Sequence, residues 1–255
     1  MTAIITLLTD FGAADGYVAE VKGALFRLAP GVTLVDVTHD IPPGDVVAAA
    51  YVLGRTWRAF PEGTVHLVVV DPGVGTDRRA IAAEAGGHRF VAPDNGVLSR
   101  IIEAGGARVV SLRVSATASP TFHGRDVFAP AAARLLAGEP LAALGAEAGG
   151  PVLLPPPRLE RRGHAYVGEV VHVDRFGTLV TSVPGTAVGT GGSVRIAGHD
   201  VPVGRTFADA APGALVAFVG SSGAVEIAVW DGRADEVLGA GRGAEVQVMA
   251  RGRVV

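Results

Sequence analysis

The sequence predicts an α/β fold: an N-terminal α/β domain with a mainly parallel sheet, followed by a smaller C-terminal all-β, barrel-like domain. Two observations predict the first part. Short β-branched runs alternate with helix-length segments over residues 1–150, and the run at 67–70 is apolar at every position, as in a strand buried on both faces. A third observation predicts the second part, because beyond residue 150 only short strands separated by glycine follow.

The N-terminal elements follow from hydrophobic pattern and length. Five runs are predicted as strands, at 4–8, 32–37, 65–70, 90–92 and 109–112. Four longer segments have the pattern of helices, at 17–28, 45–60, 96–104 and 126–136. Strands that alternate with helices of this length favour parallel pairing, with the helices packed on the faces of the sheet. The domain is predicted to occupy residues 1–150.

The segment 151–163 is predicted to be a linker. Gly149-Gly150-Pro151 and the three prolines at 155–157 break any helix and stiffen the chain. Residues 164–255 then contain six predicted strands, at 165–173, 179–182, 193–196, 214–219, 225–229 and 244–249. We expect no helix between them, and this spacing is typical of a small barrel or sandwich.

The composition excludes several classes of protein. The chain of 255 residues is 49% apolar and 18% charged, which excludes a disordered protein, and its net charge of −3 offers no basic excess for nucleic acid. It has no cysteine, so disulfides, thiolate metal sites and cysteine nucleophiles are excluded. No apolar run reaches the roughly 18 residues of a membrane span, and the N-terminus lacks the basic start of a signal peptide. We expect a cytoplasmic protein without a membrane partner.

Asp10 is a candidate binding residue because it directly follows the first predicted strand. Ligands of open α/β sheets bind outside the carboxyl ends of the strands. Asp10 lies too far from the helix predicted to start near Tyr17 to cap it, whereas Asp15 is well placed to be the cap. The two acceptor oxygens of Asp10 suit the vicinal hydroxyls of a ribose.

Asp71 and Arg78 form a candidate pair at the end of the third strand. Seven residues separate the carboxylate from the guanidinium across a glycine-rich turn, so the two can face each other. An ordinary Asp-Pro-Gly turn is the alternative. The segment is not a phosphate loop, because it lacks the Lys-Ser/Thr ending and no helix follows. Of the two adjacent arginines, Arg79 is expected to face solvent; the exchange of roles between Arg78 and Arg79 is the alternative.

His123 is the candidate base. It precedes the helix predicted to begin near Val127, and no apolar periodicity explains it. Asp126 is expected to cap that helix, and Arg125 to be structural. The alternative is that His123 is a structural or surface histidine, as most lone histidines are. His39 is a weaker candidate, and no histidine or aspartate shows metal-ligand spacing, so no metal site is predicted.

Taken together, these segments resemble the S-adenosyl-L-methionine (SAM) hydroxide adenosyltransferase family, which also includes SAM-dependent chlorinases and fluorinases. The resemblance is carried by the number, order and spacing of its motifs. They are TDFG at 9–12, DPGVGTDR at 71–78, APDNG at 92–96, TFHGRDVFAP at 121–130, DRFG at 174–177 and GSSG at 220–223.

The resemblance implies that water or hydroxide attacks C5′ of SAM, giving adenosine and methionine. It implies a catalytic set of Asp71, Arg78 and His123, with Asp10 on the ribose. Further substrate contacts fall on Asn95, Thr121, Phe122, Asp174, Phe176, Ser221 and Trp230. Trp230 stands where family members commonly have asparagine, and stacking on adenine is the role open to it.

The resemblance also implies an N-terminal α/β domain with a C-terminal β-barrel, assembled into a homotrimer. In the family, substrate binds between the N-domain of one subunit and the C-domain of the next. SAM is the substrate, and no metal or other cofactor is expected. Methionine leaves C5′ as a neutral thioether, so the site needs only an oriented, partly dehydrated nucleophile.

The division of roles is open. Arg78 would favour hydroxide, Asp71 would orient Arg78, and His123 either takes the proton or only positions hydroxide. Chloride is an alternative nucleophile; the His123-Gly124 pair favours hydroxide, although Gly124 alone does not exclude chloride. The extra N-domain loop of fluorinases has no counterpart between 90 and 121. The other alternative is a non-catalytic SAM- or nucleoside-binding protein in which the same polar network is structural.

Overall fold

The structure, a computed structural model, describes residues 3–188 and 192–249. Its contacts divide the chain into two compact units, Met1–Leu154 and Pro155–Val255. The division falls inside the segment 151–163 that the sequence predicts as a linker. The two units are described separately below.

The first unit is built on a seven-stranded sheet with the order β2-β1-β3-β5-β4-β6-β7. Its strands are β1 (Ile4–Thr9), β2 (Thr33–Thr38), β3 (Val65–Val69), β4 (Ala80–Ala85), β5 (His88–Pro93), β6 (Arg108–Leu112) and β7 (Gly145–Glu147). The pairings among β2, β1, β3 and β5 are parallel, and the remaining three are antiparallel. The predicted α/β class is confirmed, with a mixed sheet in place of a mainly parallel one.

Strand β4, which was not predicted, makes two of the three antiparallel pairings. Four of its six residues are alanine, which has a low propensity for strands. It turns into β5 through Gly86-Gly87, whose φ angles of 55° and 79° suit a two-residue hairpin. The hairpin places β4 between β5 and β6, so the sheet continues in antiparallel order.

Five helices complete the first unit. They are α1 (Tyr17–Leu28), α2 (Val46–Thr56), α3 (Ser99–Glu103), α4 (Ala129–Leu136) and α5 (Leu141–Leu144). The predicted bounds of α1 are confirmed, but the predicted cap is wrong, because Gly16 occupies the N-cap position without a side-chain hydrogen bond. Helix α2 is capped by Asp45, whose carboxylate accepts a 3.0 Å hydrogen bond from the Ala48 amide.

The helix predicted at 126–136 begins earlier than expected. A π-helical segment, Gly124–Phe128, runs directly into α4. Asp126 therefore lies inside the helical segment, and the expectation that it caps the helix is wrong. Its carboxylate instead accepts a 2.9 Å hydrogen bond from the Ser119 amide and pairs with Arg125. His123 lies immediately before the π-helical segment.

Strand β3 is buried on both faces, as its uninterrupted apolar sequence predicts. Leu67 and Val69 pack into the hydrophobic cluster on one face of the sheet, and Val68 and Val70 pack into the cluster on the other. Burial on both faces fixes the strand and its register. The chain that leaves its carboxyl end, at Asp71, therefore starts from a rigid position.

The second unit is an antiparallel eight-stranded sheet of the nearly closed, barrel-like kind that was predicted. Seven of its strands follow the order β12-β11-β15-β9-β10-β14-β13, and β8 pairs with β9 beside this path. The strands are β8 (Leu159–Arg162), β9 (Ala165–Val173), β10 (Leu179–Pro184), β11 (Ser193–Ile196), β12 (His199–Pro202), β13 (Leu215–Val219), β14 (Ala224–Val229) and β15 (Glu245–Met249). A bridge between Val203 and Ala217 brings the two end strands together.

Three elements of the second unit were not predicted. Strand β8 lies within the predicted linker, and its four residues, Leu-Glu-Arg-Arg, are all exposed, so no buried alternation marks it. Strand β12 is short and mostly exposed. Helix α6 (Ala234–Leu238), where no helix was expected, has only five residues. Within the described ranges, no helix combines the length and the apolar character that crossing a membrane requires.

Candidate active site

A cavity of about 370 Å³ opens in the first unit beside the carboxyl ends of β1 and β3. Its wall combines two carboxylates, a histidine and three aromatic rings. It is lined by Asp10, Phe11, Tyr17, Val69, Asp71, Val74, Ser119, Thr121, Phe122, His123, Gly124 and Arg125. A site at this edge of the sheet agrees with the general position of ligands in α/β folds.

Asp10 reaches the cavity because it directly follows β1. One of its carboxylate oxygens accepts a 2.8 Å hydrogen bond from the backbone amide of Gly44. The neighbouring Thr9 hydroxyl lies 2.8 Å from Nδ1 of His39. His39, the weaker candidate, is therefore engaged with β1 and is not among the described residues that line the cavity.

Asp71 and Arg78 form a buried ion pair across the glycine-rich turn. Nε of Arg78 donates to both oxygens of Asp71, at 2.8 and 3.0 Å, and Nη2 donates to one of them as well. The Asp71 side chain is 4% exposed and that of Arg78 is 10% exposed. The Asp-Pro-Gly turn, which was the alternative interpretation of this segment, is present. It brings Asp71 and Arg78 together in a charge-assisted, bidentate pair.

His123 joins this pair through Arg78. Its Nδ1 lies 2.9 Å from Nη2 of the guanidinium. Arg78 is not among the described residues that line the cavity, whereas Asp71 and His123 are. The Arg78 guanidinium lies behind these two residues. Its Cζ is 5.3 Å from the centroid of the Phe128 ring. The three residues predicted as a constellation are therefore brought together.

The surroundings of His123 favour its neutral form. Burial lowers the pKa of His123 below its ordinary value of 6.5, and the positive charge of Arg78 lowers it further. The carboxylates of Asp71 and Asp126 act in the opposite direction but do not outweigh these two causes. The imidazole is therefore uncharged at neutral pH.

Three aromatic rings form the apolar part of the cavity wall. The ring centroids of Phe11 and Phe122 each lie within 6.0 Å of Tyr17, and those two rings are 6.0 Å apart. Phe122 was predicted as a site residue; Phe11 and Tyr17 were not. The signal that could have found Phe11 is its position beside Asp10 at the end of a buried strand.

Arg125 and Arg79 lie at the edges of the site in structural pairs. Arg125 pairs with Glu20 and Asp126, as expected of a structural residue, although it also lines the cavity. Arg79 was expected to face solvent, and its side chain is 36% exposed, but it is also engaged in specific contacts. It forms an ion pair with the buried Asp94 and donates to the carbonyls of Gly149 and Gly150.

The remaining predicted contacts fall in three places. Thr121 lines the cavity together with Phe122. Asn95 uses its amide to hold backbone, donating to the Val70 carbonyl at 2.9 Å and accepting from the Val97 amide at 3.2 Å. Four others belong to the second unit: Asp174, Phe176, Ser221 and Trp230.

Asp174 shapes a tight turn in the second unit. Its Oδ1 accepts hydrogen bonds from the amides of Phe176, at 2.9 Å, and Thr178, at 2.8 Å. The turn leaves the Phe176 side chain 75% exposed, and Trp230, after β14, is 39% exposed. Ser221 lies in the turn between β13 and β14. Aromatic residues are enriched where a protein contacts another chain.

A second polar group is buried away from the cavity. The Thr6 hydroxyl lies 2.8 Å from Nδ1 of His66, whose Nε2 lies 3.1 Å from Nδ1 of His88. Burial lowers the pKa of His66 to about 3, and His88 adds to the effect. His88 is the first residue of β5. Over the part of the chain that the structure describes, no cluster of three or more His, Asp or Glu residues could hold a metal ion.

Comparison with known proteins relates both units to one family. The model of the SAM hydroxide adenosyltransferase N-terminal domain matches residues 5–145, and that of the C-terminal domain matches residues 168–247. The chain is 44% identical over 258 residues to the (R)-S-adenosyl-L-methionine hydrolase of Salinispora arenicola, covering 98% of both chains. It is 32% identical to a fluorinase of Nocardia brasiliensis, covering 88% of this chain and 89% of the fluorinase.

A solved structure agrees with these matches. The crystal structure of an uncharacterized conserved protein from Thermotoga maritima superposes with a TM-score of 0.89 at 35% identity, covering 96% of this chain and 99% of that one. The family models together span most of the chain, and the identities extend over its whole length. This chain belongs to the SAM hydroxide adenosyltransferase family.

Proposed function

We propose that this protein is an adenosine-forming SAM hydrolase, in which a hydroxide derived from water displaces methionine from C5′ of SAM. The observation that carries the proposal is the buried Asp71–Arg78 pair, whose guanidinium contacts His123 at the wall of a cavity. The 44% identity to a curated (R)-SAM hydrolase over 98% of both chains supports it.

The reaction fits the groups in the cavity. A bond forms between oxygen and C5′ while the C5′–S bond breaks, and the electron pair of that bond goes to sulfur. SAM and water thus become adenosine, methionine and one proton. The leaving thioether is neutral, so no residue has to protonate it. The site therefore has to orient the nucleophile in line with the C5′–S bond and strip it of water.

Arg78 supplies the charge that this step needs. A guanidinium stays protonated at any working pH, and its bond to Asp71 holds it in one orientation. Because Asp71 lines the cavity and Arg78 lies behind it, the guanidinium offsets the negative charge that Asp71 would otherwise present to an anion there, and burial strengthens this effect. Dissolved hydroxide is scarce at neutral pH, so a nearby fixed cation favours its capture.

We propose that the substrate is held mainly by Asp10 and the aromatic wall. Asp10 offers the ribose hydroxyls a carboxylate that Gly44 already holds in place. Thr121 and Phe122 line the same cavity. Asn95 acts indirectly, because its side-chain amide anchors the carbonyl of Val70, the residue before Asp71. The family resemblance supports substrate contacts for Asp174, Phe176, Ser221 and Trp230.

The configuration of the substrate at sulfur is a further part of the proposal. The sulfonium of SAM is a stereocentre, and the relatives at 43–44% identity are named for the R epimer. We expect this chain to prefer (R)-SAM. Separate assays with the two epimers, at concentrations well below KM, would measure the ratio of their kcat/KM values. A ratio that favours the S epimer would contradict the preference.

We also propose that the protein is a homotrimer and needs no metal or other cofactor. The trimer is supported by the family resemblance and by the exposed Phe176 and Trp230 rings. Light scattering of the purified protein would measure the mass of the assembly against a chain of 25.8 kDa. Cofactor independence is supported by the chemistry, since no electron is transferred and no leaving group needs activation. Dialysis against a chelator should leave activity unchanged.

Product analysis in isotopically labelled water tests the function directly. The protein is incubated with SAM in H₂¹⁸O, and the products are separated by chromatography and weighed by mass spectrometry. Adenosine that carries ¹⁸O, together with methionine, is expected. Intact SAM after long incubation would make the chain a non-catalytic binder. A 5′-chloro nucleoside at high chloride concentration would make it a halogenase.

A further inference from the structure

The contact between Arg78 and His123 determines which nitrogen of the imidazole carries a proton. Every nitrogen of a guanidinium is a donor, and none is an acceptor. Nη2 of Arg78 lies 2.9 Å from Nδ1 of His123, so Nδ1 must accept with its lone pair. A reversed ring would place a C–H group against the N–H of Arg78 and lose the bond.

On the basis of the proposed hydrolase function, we infer that His123 is held as the Nε2–H tautomer and donates a hydrogen bond to the attacking oxygen. It does not remove the proton of that oxygen. A neutral imidazole with an acceptor at Nδ1 carries its one hydrogen on Nε2. That nitrogen has no free lone pair and cannot act as a base.

The position of Nε2 suits a donor. His123 lines the cavity, while its side chain is almost wholly buried. Among residues 3–188 and 192–249, no hydrogen bond joins Nε2 to the protein. Its N–H is therefore the polar group that the ring offers to a molecule in the cavity.

The other two protonation states are disfavoured by the same neighbours. The Nδ1–H tautomer, which a base at Nε2 requires, would set two N–H groups against each other at 2.9 Å. The imidazolium would add repulsion between two cations. Burial and Arg78 lower the pKa of His123, against the opposing effects of Asp71 and Asp126. Both oxygens of Asp71 are already bonded to Arg78, which reduces their effect on the ring.

The chemical step then balances without a protein base. Water loses its proton to the solvent, and the resulting hydroxide is held by the Nε2–H bond and the field of Arg78. Oxygen bonds to C5′, the C5′–S bond breaks, and sulfur keeps the electron pair. His123 has the same hydrogen before and after this step. The rate is therefore expected to rise with pH because hydroxide becomes more abundant, and not because the imidazole loses a proton.

Substitutions of His123 separate a donor from a base. Glutamine cannot titrate, but its amide N–H reaches the depth of Nε2. We expect His123→Gln to keep kcat within about tenfold of wild type. His123→Ala should lose about 100-fold or more, because the lost donor stabilises the hydroxide charge that forms from neutral bound water before the attack. His123→Asn, which offers an acceptor to Arg78 but no donor at that depth, should resemble His123→Ala. A base would instead make all three variants equally poor.

The pH profile of turnover and the tautomer of His123 test the inference independently of each other. His123→Gln should keep the alkaline rise in kcat/KM, whereas loss of that rise would assign it to His123. Long-range ¹⁵N–¹H NMR of the folded wild type, with the His123 signals identified by their absence in His123→Gln, reports the tautomer without any turnover. An unprotonated Nδ1 and a protonated Nε2 are expected, and the reverse pattern overturns the inference even if SAM is not the substrate. Failure of SAM hydrolysis by wild type would overturn the proposed function instead.

Discussion

The α-carbon of Gly75 packs against the carbonyl oxygen of Pro120, so closely that a Cβ at Gly75 would lie 2.6 Å from that oxygen. Gly75 also has a φ of 78°, which L-residues rarely adopt. It lies between Asp71 and Arg78, and Pro120 lies three residues before His123. The close approach of these two loops sets the spacing within the constellation.

Gly75→Ala is expected to disrupt the site beyond its effect on stability. A Cβ would force the loops apart, because the atom it meets is backbone and cannot rotate away. Lengthening the Arg78–His123 contact by an ångström should lower kcat about 100-fold. Gly31→Ala is the matched control, with a φ of 82° and open space around its Cβ. Similar kcat values for the two variants would show that the loop contact does not matter for turnover.

Asp71→Ala is expected to destabilise the fold as well as the site. It leaves Arg78 buried and without its ion-pair partner, a change that typically costs about 3–5 kcal/mol. Asp200→Ala is the control, since it breaks the exposed pair with Arg195, whose geometry is equally bidentate. Urea unfolding at one protein concentration would compare the two free energies of unfolding. An equal, small effect would mean that water reaches Arg78 freely.

The parts of the site that could be predicted are those that depend on strand ends. Asp10 and Asp71 follow buried apolar strands, so their place at one edge of the sheet followed from the sequence. The Asp71–Arg78 contact also followed, because the glycine-rich turn reverses the chain and brings the two side chains toward each other. These predictions needed only the position of each residue relative to a strand end or a turn.

What could not be predicted depends on distant contacts. Arg79 is next to Arg78 in the sequence, and its partner Asp94 follows the β4–β5 hairpin, so only this hairpin brings the two residues together. That hairpin was missed because its alanines carry no strand signal. Likewise, nothing local shows that Tyr17 turns its ring toward the cavity, since the first turn of a helix can expose a tyrosine equally well.

Asp10→Asn is expected to raise KM for SAM at least about tenfold while changing kcat less, because it weakens a charge-assisted bond that is the same in ground and transition states. Asparagine keeps the shape of the side chain and an oxygen for the Gly44 amide. Asp45→Ala, which removes the cap of α2 in the same region, should lower stability and leave KM unchanged. Steady-state kinetics with SAM would measure both. An unchanged KM in Asp10→Asn would remove Asp10 from the binding site.

The buried His66 is expected to make the fold sensitive to acid. Its pKa falls from the ordinary 6.5 to about 3 in the folded chain. Between these two values His66 is protonated in the unfolded chain and neutral in the folded chain, so acid favours unfolding. Stability from this residue is complete above pH 6.5 and declines toward pH 3. Between pH 7.5 and 5 the loss should be about 2 kcal/mol for one such histidine.

Two substitutions test this expectation. His66→Asn keeps a partner for the Thr6 hydroxyl but cannot titrate, and His199→Asn removes an exposed histidine as a control. Urea unfolding at pH 7.5 and pH 5 should show a smaller loss of stability in His66→Asn than in wild type and His199→Asn. The same loss in all three proteins would place the acid-sensitive group elsewhere. His88, whose pKa is also lowered, would then be the next residue to substitute.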